Sequence, residues 1–298
     1  MPPADPGPDA REVDRLVLGE HAPPTDGDVT NKFERGQVVV IGGDAETPGG
    51  VVLAALAALR AGAGRAHVVT DPDVALTMAT TNPELRVSAL PVGPLVDAPA
   101  LVAGIEDADV VVVGPGFRDR ARAGSLVEQL VPLLAERTVL CLDAAGLPVV
   151  ADRPSLTTER AGRTILLPNV GEAGELLRTP REVVDDDPAG AVEQAVTCFR
   201  SPVAIRGSTT WIGAPGRGLF VERAGHPALA TSGSGDVLVG IVAALAARGT
   251  DPLGAILWGV HVHARCGEAL AARHGGSGLL ARDLLEQVPT TLNELVHG

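Results

Sequence analysis

The segment Ala228-Leu-Ala-Thr-Ser-Gly-Ser-Gly-Asp236 runs directly into the apolar stretch Val237 to Ala247. Glycines at 233 and 235 let the backbone approach a ligand closely, and the N–H groups that open a helix point at whatever sits there. Gly233, Ser234 and Gly235 therefore form a candidate anion hole. Asp236, in the first turn, suits the positive end of the helix dipole and lies within reach of a hydroxyl beside the anion, where it would serve as a general base. The same residues also read as a plain Ser/Gly/Asp helix cap, and spacing alone does not separate the two.

Three further segments carry polar groups at the ends of apolar strands. Val113-Gly-Pro-Gly-Phe117 and Ile41-Gly-Gly-Asp44 each follow a valine-rich run, where glycines leave room for a ligand or simply make a tight turn. Leu167-Pro-Asn-Val-Gly-Glu172 puts Asn169 and Glu172 three residues apart around a helix start. That spacing suits a hydrated Mg²⁺ or a phosphate-bound water, and it suits a capping box even better. Ile205-Arg-Gly-Ser-Thr-Thr-Trp211 links a strand to a hairpin, with Arg206 as the charge that would meet a nucleotide phosphate. Neither Gly-x-Gly-x-x-Gly nor a P-loop occurs, so a nucleotide site must be of another kind. His261 and His263, two apart on one predicted helix, face differently and read as core or capping residues. Asp143 ends a strand and either touches ligand or caps.

These residues need a scaffold that brings strand ends together. From Gln37 the chain alternates short apolar runs (QVVVI, RAHVVT, DVVVVG, TVLCLD, TILLP, PVAIRG) with helical stretches, among them Gly50 to Ala61, Ala121 to Leu134 and Ala189 to Arg200. This pattern predicts βαβ units around a mostly parallel sheet buried on both faces. Thr209 to Ile212 and Gly218 to Glu222 predict a late hairpin and hence antiparallel strands. Helices are expected over Ser234 to Ala247, Pro252 to Arg273 and Ala281 to Val288. Residues 1 to about 30 read as a partly flexible arm ahead of the first strand, and 31 to 298 as one domain.

Composition narrows the function. The 298 residues are 45% hydrophobic and carry 24 Lys+Arg against 37 Asp+Glu, a net charge of -13, so a grip on nucleic acid or anionic lipid is not expected. Aromatics at 2% argue against base-stacking platforms. Cys141, Cys198 and Cys266 form no C-x-x-C pair and are expected as buried thiols in a reducing cytoplasm. Neither a signal peptide nor a membrane span is apparent.

Taken in order, Asn31-Lys32, Gly36, Val38 to Gly43, Pro48 to Gly64 (PGGVVLAALAALRAGAG), Gly114-Pro-Gly116, Leu142-Asp143-Ala144, Leu167 to Glu172, Arg206-Gly207, Ala230 to Gly240 and the helix with His263 resemble one family. It is the ADP/ATP-dependent NAD(P)H-hydrate dehydratases, ribokinase-like proteins also labelled YjeF C-terminal or carbohydrate-kinase-like. The resemblance implies a three-layer α/β/α sandwich and dehydration of NADHX or NADPHX, with ADP or ATP as phosphoryl donor and Mg²⁺ as cofactor. It implies that Arg206, Gly207, Ser208, Thr209, Thr210 and Gly235 contact the adenine nucleotide. Gly50, Gly116, Asn169 and Asp236 would line the hydrate site, with Asp236 as base and Mg²⁺ near Glu172. It further implies a cytoplasmic homo-oligomer, a tetramer, with a separate epimerase acting on the same hydrate. The chain has Asn169 where the family usually has His, Arg206 where it has Lys, and Ser232-Gly-Ser-Gly-Asp236 where it has Gly-Gly-Thr-Gly-Asp. A small-molecule kinase of the same superfamily, acting on a thiazole or pyrimidine alcohol, and a non-catalytic nucleotide-binding protein are the alternative readings.

Overall fold

The computed structural model describes residues 10–24 and 31–297. Its sheet is built from β1 (Ala10–Glu12), β2 (Gln37–Ile41), β3 (Arg65–Thr70), β4 (Arg86–Ala89), β5 (Val110–Val113), β6 (Val139–Leu142), β7 (Thr164–Leu166), β8 (Val203–Arg206), β9 (Thr210–Ala214) and β10 (Gly218–Glu222). The order across the sheet is β1-β10-β9-β8-β7-β6-β5-β2-β3-β4. Only β9 runs against its neighbours, pairing antiparallel with β8 and β10. The helices are α1 (Arg15–Glu20), α2 (Gly49–Arg60), α3 (Pro72–Thr81), α4 (Pro99–Glu106), α5 (Arg120–Leu130), α6 (Pro148–Asp152), α7 (Ser155–Thr158), α8 (Val170–Leu177), α9 (Arg181–Asp186), α10 (Pro188–Phe199), α11 (Ser234–Ala247), α12 (Pro252–His274) and α13 (Ala281–His297).

The central strands read as continuous apolar runs because both their faces are covered. Val38, Val40, Val110 and Val112 join the core shared with α2, α11, α12 and α13. Their neighbours Val39, Ile41, Val111 and Val113 join the core shared with α4, α5, α8 and α10. Each such side chain contributes roughly 1.5 to 3 kcal/mol of burial, which sets the register of every strand firmly. Asp-Pro pairs start three helices: Asp71, Asp187 and Asp251 accept from the N–H groups of Asp73, Gly190 and Gly254, and the prolines pre-set the first turn. The result is the three-layer sandwich with a mostly parallel sheet.

Four expectations change. Residues 10–24, read as arm, supply edge strand β1, which pairs parallel with β10, and helix α1, whose Val17 and Leu18 are buried; residues 1–9 and 25–30 of the arm lie outside the described residues. A three-residue edge strand is too short to show a period. The hairpin strand β9 runs on to Ala214 because Gly213 still pairs with Val203 and Leu219. Helix α13 continues past Pro289 to His297, and burial of Thr291 and Leu292 offsets the hydrogen bond that the proline lacks. Cys141 and Cys266 are buried as expected, whereas Cys198 is exposed on α10, off the face that Ala191, Ala195 and Phe199 turn to the sheet.

Candidate active site

The strand order reverses between β2 and β5, since the chain leaves β2 for β3 and β4 and returns on its other side. A crevice opens at such a switch point beyond the carboxyl ends of the strands. The two glycine turns meet there. Gly43 N–H donates to Pro115 O at 2.9 Å, Asp44 N–H to Gly116 O at 3.0 Å, and Thr47 Oγ1 to the same oxygen at 2.7 Å. The Asp44 carboxylate in turn accepts from Arg118 N–H at 2.6 Å. Gly116 has φ 70, and a β-carbon on it would run into Thr47 O, so only glycine fits. A β-carbon on Gly50 would lie 2.7 Å from Gly116 N and 3.2 Å from Asp236 Oδ1. Gly50, Gly116 and Asp236, far apart in sequence, thus share one spot.

At the start of α11, Gly233 makes the left-handed turn with φ 88. Ser234 N–H is already donated to Thr231 O at 3.2 Å. Among the described residues, the N–H groups of Gly235 and Asp236 have no protein acceptor. The candidate anion hole expected at Gly233, Ser234 and Gly235 therefore loses the Ser234 N–H and gains that of Asp236, and Ser234 can enter it only through its hydroxyl. A β-carbon on Gly235 would collide with Arg206 Nη1 and lie 3.4 Å from Cζ, so the guanidinium lies across the helix start. Arg206 Nη2 donates to Asp143 Oδ1 at 2.7 Å and lies 3.5 Å from Glu172 Oε2, while its buried Nε has no partner among the described residues.

A cation on the positive end of a helix is unfavourable by itself. Three carboxylates offset it here, and an anion held between the guanidinium and the free N–H groups would satisfy both. Burial raises the Asp236 carboxyl, Arg206 opposes and Glu172 adds to the rise, leaving it pushed up to about 6. Asp143 is pushed up to about 7 by burial, against the pull of Arg206 and with help from Glu172 and Asp236. Ala144 beside it takes φ 47, a strained backbone for a residue with a β-carbon.

Asn169 and Glu172 form a capping box: Glu172 N–H donates to Asn169 Oδ1 at 3.0 Å and Asn169 N–H to Glu172 Oε2 at 2.8 Å. Asn169 stays exposed and bridges the backbone of Arg206. Glu172 Oε1 is without a partner among the described residues. Those residues include no group of three or more His, Cys, Asp or Glu side chains able to hold a metal. Such a donor set fits a Mg²⁺ that takes most of its ligands from phosphates and water. Gly207, Ser208 and Thr209 form the turn from β8 to β9, and Thr210 pairs with Arg206, which puts this run along the sheet edge beyond the guanidinium. Asp143, read from the sequence as touching ligand or capping, is the Arg206 partner and makes no side-chain capping bond, whereas His263, whose Nε2 lies 2.9 Å from Ser234 Oγ, does not read as a site residue. The strand-ending position is the signal that the former gives, and the latter reads as one of two core or capping histidines.

Residues 38–290 match the family model described as NAD(P)H-hydrate dehydratase. The chain is 38% identical over 296 residues to an ADP-dependent (S)-NAD(P)H-hydrate dehydratase of Xanthomonas campestris, covering 98% of this chain and 99% of that protein. It is 31% identical to the bifunctional NAD(P)H-hydrate repair enzyme Nnr of Escherichia coli over 89% of this chain, and it spans about half of that relative's length (49%). An ADP/ATP-dependent NAD(P)H-hydrate dehydratase from Bacillus subtilis, crystallised with ATP and Mg²⁺, shares the fold with TM-score 0.80 at 22% identity, covering 97% of this chain and 100% of that one. A hydroxyethylthiazole kinase from Pyrococcus horikoshii shares it less closely, with TM-score 0.57 and 19% identity over 88% of this chain and 92% of that one. The chain belongs to the NAD(P)H-hydrate dehydratase family.

Proposed function

We propose that the chain dehydrates (S)-NADHX and (S)-NADPHX to NADH and NADPH, using ADP, or ATP, as phosphoryl donor and releasing AMP, or ADP, and orthophosphate. The observation that carries this reading is the Asp236 carboxylate in the first turn of α11, beside the free N–H groups of Gly235 and Asp236 and under the Arg206 guanidinium.

The substrate carries a hydroxyl on its reduced nicotinamide ring, and hydroxide is a poor leaving group. Asp236 takes the hydroxyl proton as the oxygen attacks the terminal phosphorus of the nucleotide. A new P–O bond forms and the bond to the leaving nucleotide breaks. The lone pair of the ring nitrogen then expels phosphate, and loss of a proton from the adjacent carbon restores the dihydronicotinamide. Arg206 and the helix N–H groups hold the charge that the phosphoryl group carries through transfer. Gly50 and Gly116 admit the ring close to Asp236, Asn169 lines the hydrate, and Arg206 to Thr210 with Gly235 line the nucleotide. Mg²⁺ would supply charge neutralisation on the phosphates, with the free Glu172 oxygen as its protein ligand.

The test is to incubate the protein with Mg²⁺, NADHX and either nucleotide, following recovery of the reduced nicotinamide absorbance and phosphate release. Nucleotide-dependent recovery that vanishes in Asp236→Asn is expected. A phosphorylated organic product that accumulates from an alcohol substrate would instead mark a small-molecule kinase, and nucleotide binding without turnover a binding protein. In the same reading the protein is a cytoplasmic homotetramer, checked by sedimentation, and an epimerase supplies the S form of the hydrate. No described helix is long and apolar enough to cross a membrane.

A further inference from the structure

Ser234 lies in the first turn of α11 with 5% exposure, and its N–H is spent on Thr231 O. Only its hydroxyl is left to meet an anion at the helix start. That oxygen lies 2.9 Å from Nε2 of His263, which projects from α12. The neighbouring histidine on the same helix is engaged elsewhere, since His261 Nδ1 lies 2.6 Å from Glu222 Oε2 at the end of β10. Helix α12 therefore ties one histidine to the sheet and aims the other at the anion hole.

A neutral imidazole carries one N–H. If it were on Nδ1, Ser234 would donate its proton to Nε2 and turn its lone pairs toward the anion, opposing the Gly235 and Asp236 N–H groups. With the proton on Nε2, Ser234 Oγ accepts from the ring and its own O–H is free to donate. We propose that His263 is a positioning residue that donates from Nε2–H to Ser234 Oγ and thereby turns the Ser234 hydroxyl into a third donor for the phosphoryl group. Burial and the nearby Arg206 charge keep the ring neutral, with its pKa lowered to about 4. The effect on catalysis rests on the dehydratase reading, whereas the effect on anion binding does not.

The experiment compares wild type, Ser234→Ala, His263→Ala, the double variant and His263→Gln, whose amide N–H can replace the ring donor. Loss of one donor from a site that stabilises developing charge lowers kcat by about tenfold to a hundredfold. Each single alanine variant is expected to show that loss in kcat, with KM for ADP raised by no more than the loss of orthophosphate affinity in the same variant. The double variant is expected to be no worse than Ser234→Ala, because His263 acts through that hydroxyl. His263→Gln is expected to regain most of kcat. Titration of the same proteins with orthophosphate by calorimetry reads the anion hole without turnover and should show the same pattern of weakened, non-additive binding.

Losses that multiply in the double variant, or a folded His263→Ala with wild-type kcat and phosphate affinity, would overturn the proposal. Should His263→Ala fail to fold, Ser234→Ala and His263→Gln decide it: a glutamine variant as impaired as Ser234→Ala, with an unchanged melting temperature, counts against the donor role. A wild type that binds phosphate with this coupling and yet turns over no hydrate sinks the dehydratase reading and leaves the His263 assignment standing.

Discussion

Asp236 stands under influences of opposite sign: burial and Glu172 raise its pKa, Arg206 lowers it, and the balance at about 6 leaves it ionised at neutral pH yet still a useful base. In the proposed reaction Asp236→Asn removes the proton acceptor, so kcat should fall by about 10² to 10⁴, whereas ADP affinity, measured by calorimetry, should not fall, because one negative charge beside the phosphates is gone. The free enzyme's kcat/KM should lose its activity as pH falls through about 6. In Arg206→Gln the opposing charge is gone, so the acid limb should move to higher pH while KM for the nucleotide rises. A limb that stays in place or moves down would show that another group governs it. At this scale the sequence was informative where chemistry is local: Gly233, Gly235 and Asp236 are adjacent, and the Asn169 and Glu172 capping box is written in its three-residue spacing. It was silent where the partner is chosen by the fold. Asp143 and Arg206 are 63 positions apart, and Ser234 and His263 are 29 apart on separate helices.

The two helices that begin at the site are held together by small residues. A β-carbon on Gly240 of α11 would meet Ala54 O and lie 2.7 Å from Ala57 Cβ on α2, so these helices approach to backbone contact. Their first turns carry Gly50 and Asp236, which makes their spacing a determinant of the site. Gly240→Val would wedge them apart at a cost of about 1 to 3 kcal/mol, the usual range for overpacking a core, read as a lower urea midpoint. Because the wedge moves Gly50 relative to Asp236, kcat should fall by more than the nucleotide KM changes. Wild-type kcat in a destabilised Gly240→Val would show that the pair tolerates the shift. The central strands and α11 were legible because both-face burial leaves unbroken runs such as VVVV at 110–113 and VLVGIVAALAA at 237–247. Strand β1 and the last turns of α13 were not. The former has no period in three residues, and the latter depends on burial of Thr291 and Leu292 beyond a proline that argues for a stop.

Across the whole molecule, 37 acidic against 24 basic residues put mutual repulsion on the folded state, and screening by salt relieves it, so the urea midpoint should rise with ionic strength before levelling off. Acidity acts in both directions. Asp143 and Asp236 have folded pKa values of about 7 and about 6, above the 3.8 of an unperturbed carboxyl, so their contribution to stability is full below about 3.8 and is lost as pH rises through those values. His67 and His263, both lowered to about 4 chiefly by burial, contribute stability above 6.5 that is lost as pH falls through 4. The two pairs oppose each other between about pH 4 and 7, so the wild-type profile alone does not separate them. Asp143→Asn does, because the histidine contributions cancel in the difference from wild type. With Asp143 no longer titrating, the variant should gain stability relative to wild type as pH goes from 4.5 to 7.5, measured as the difference in urea midpoints without nucleotide. A difference that is flat would mean that Arg206 keeps Asp143 ionised across the range, with the guanidinium outweighing the burial of its partner.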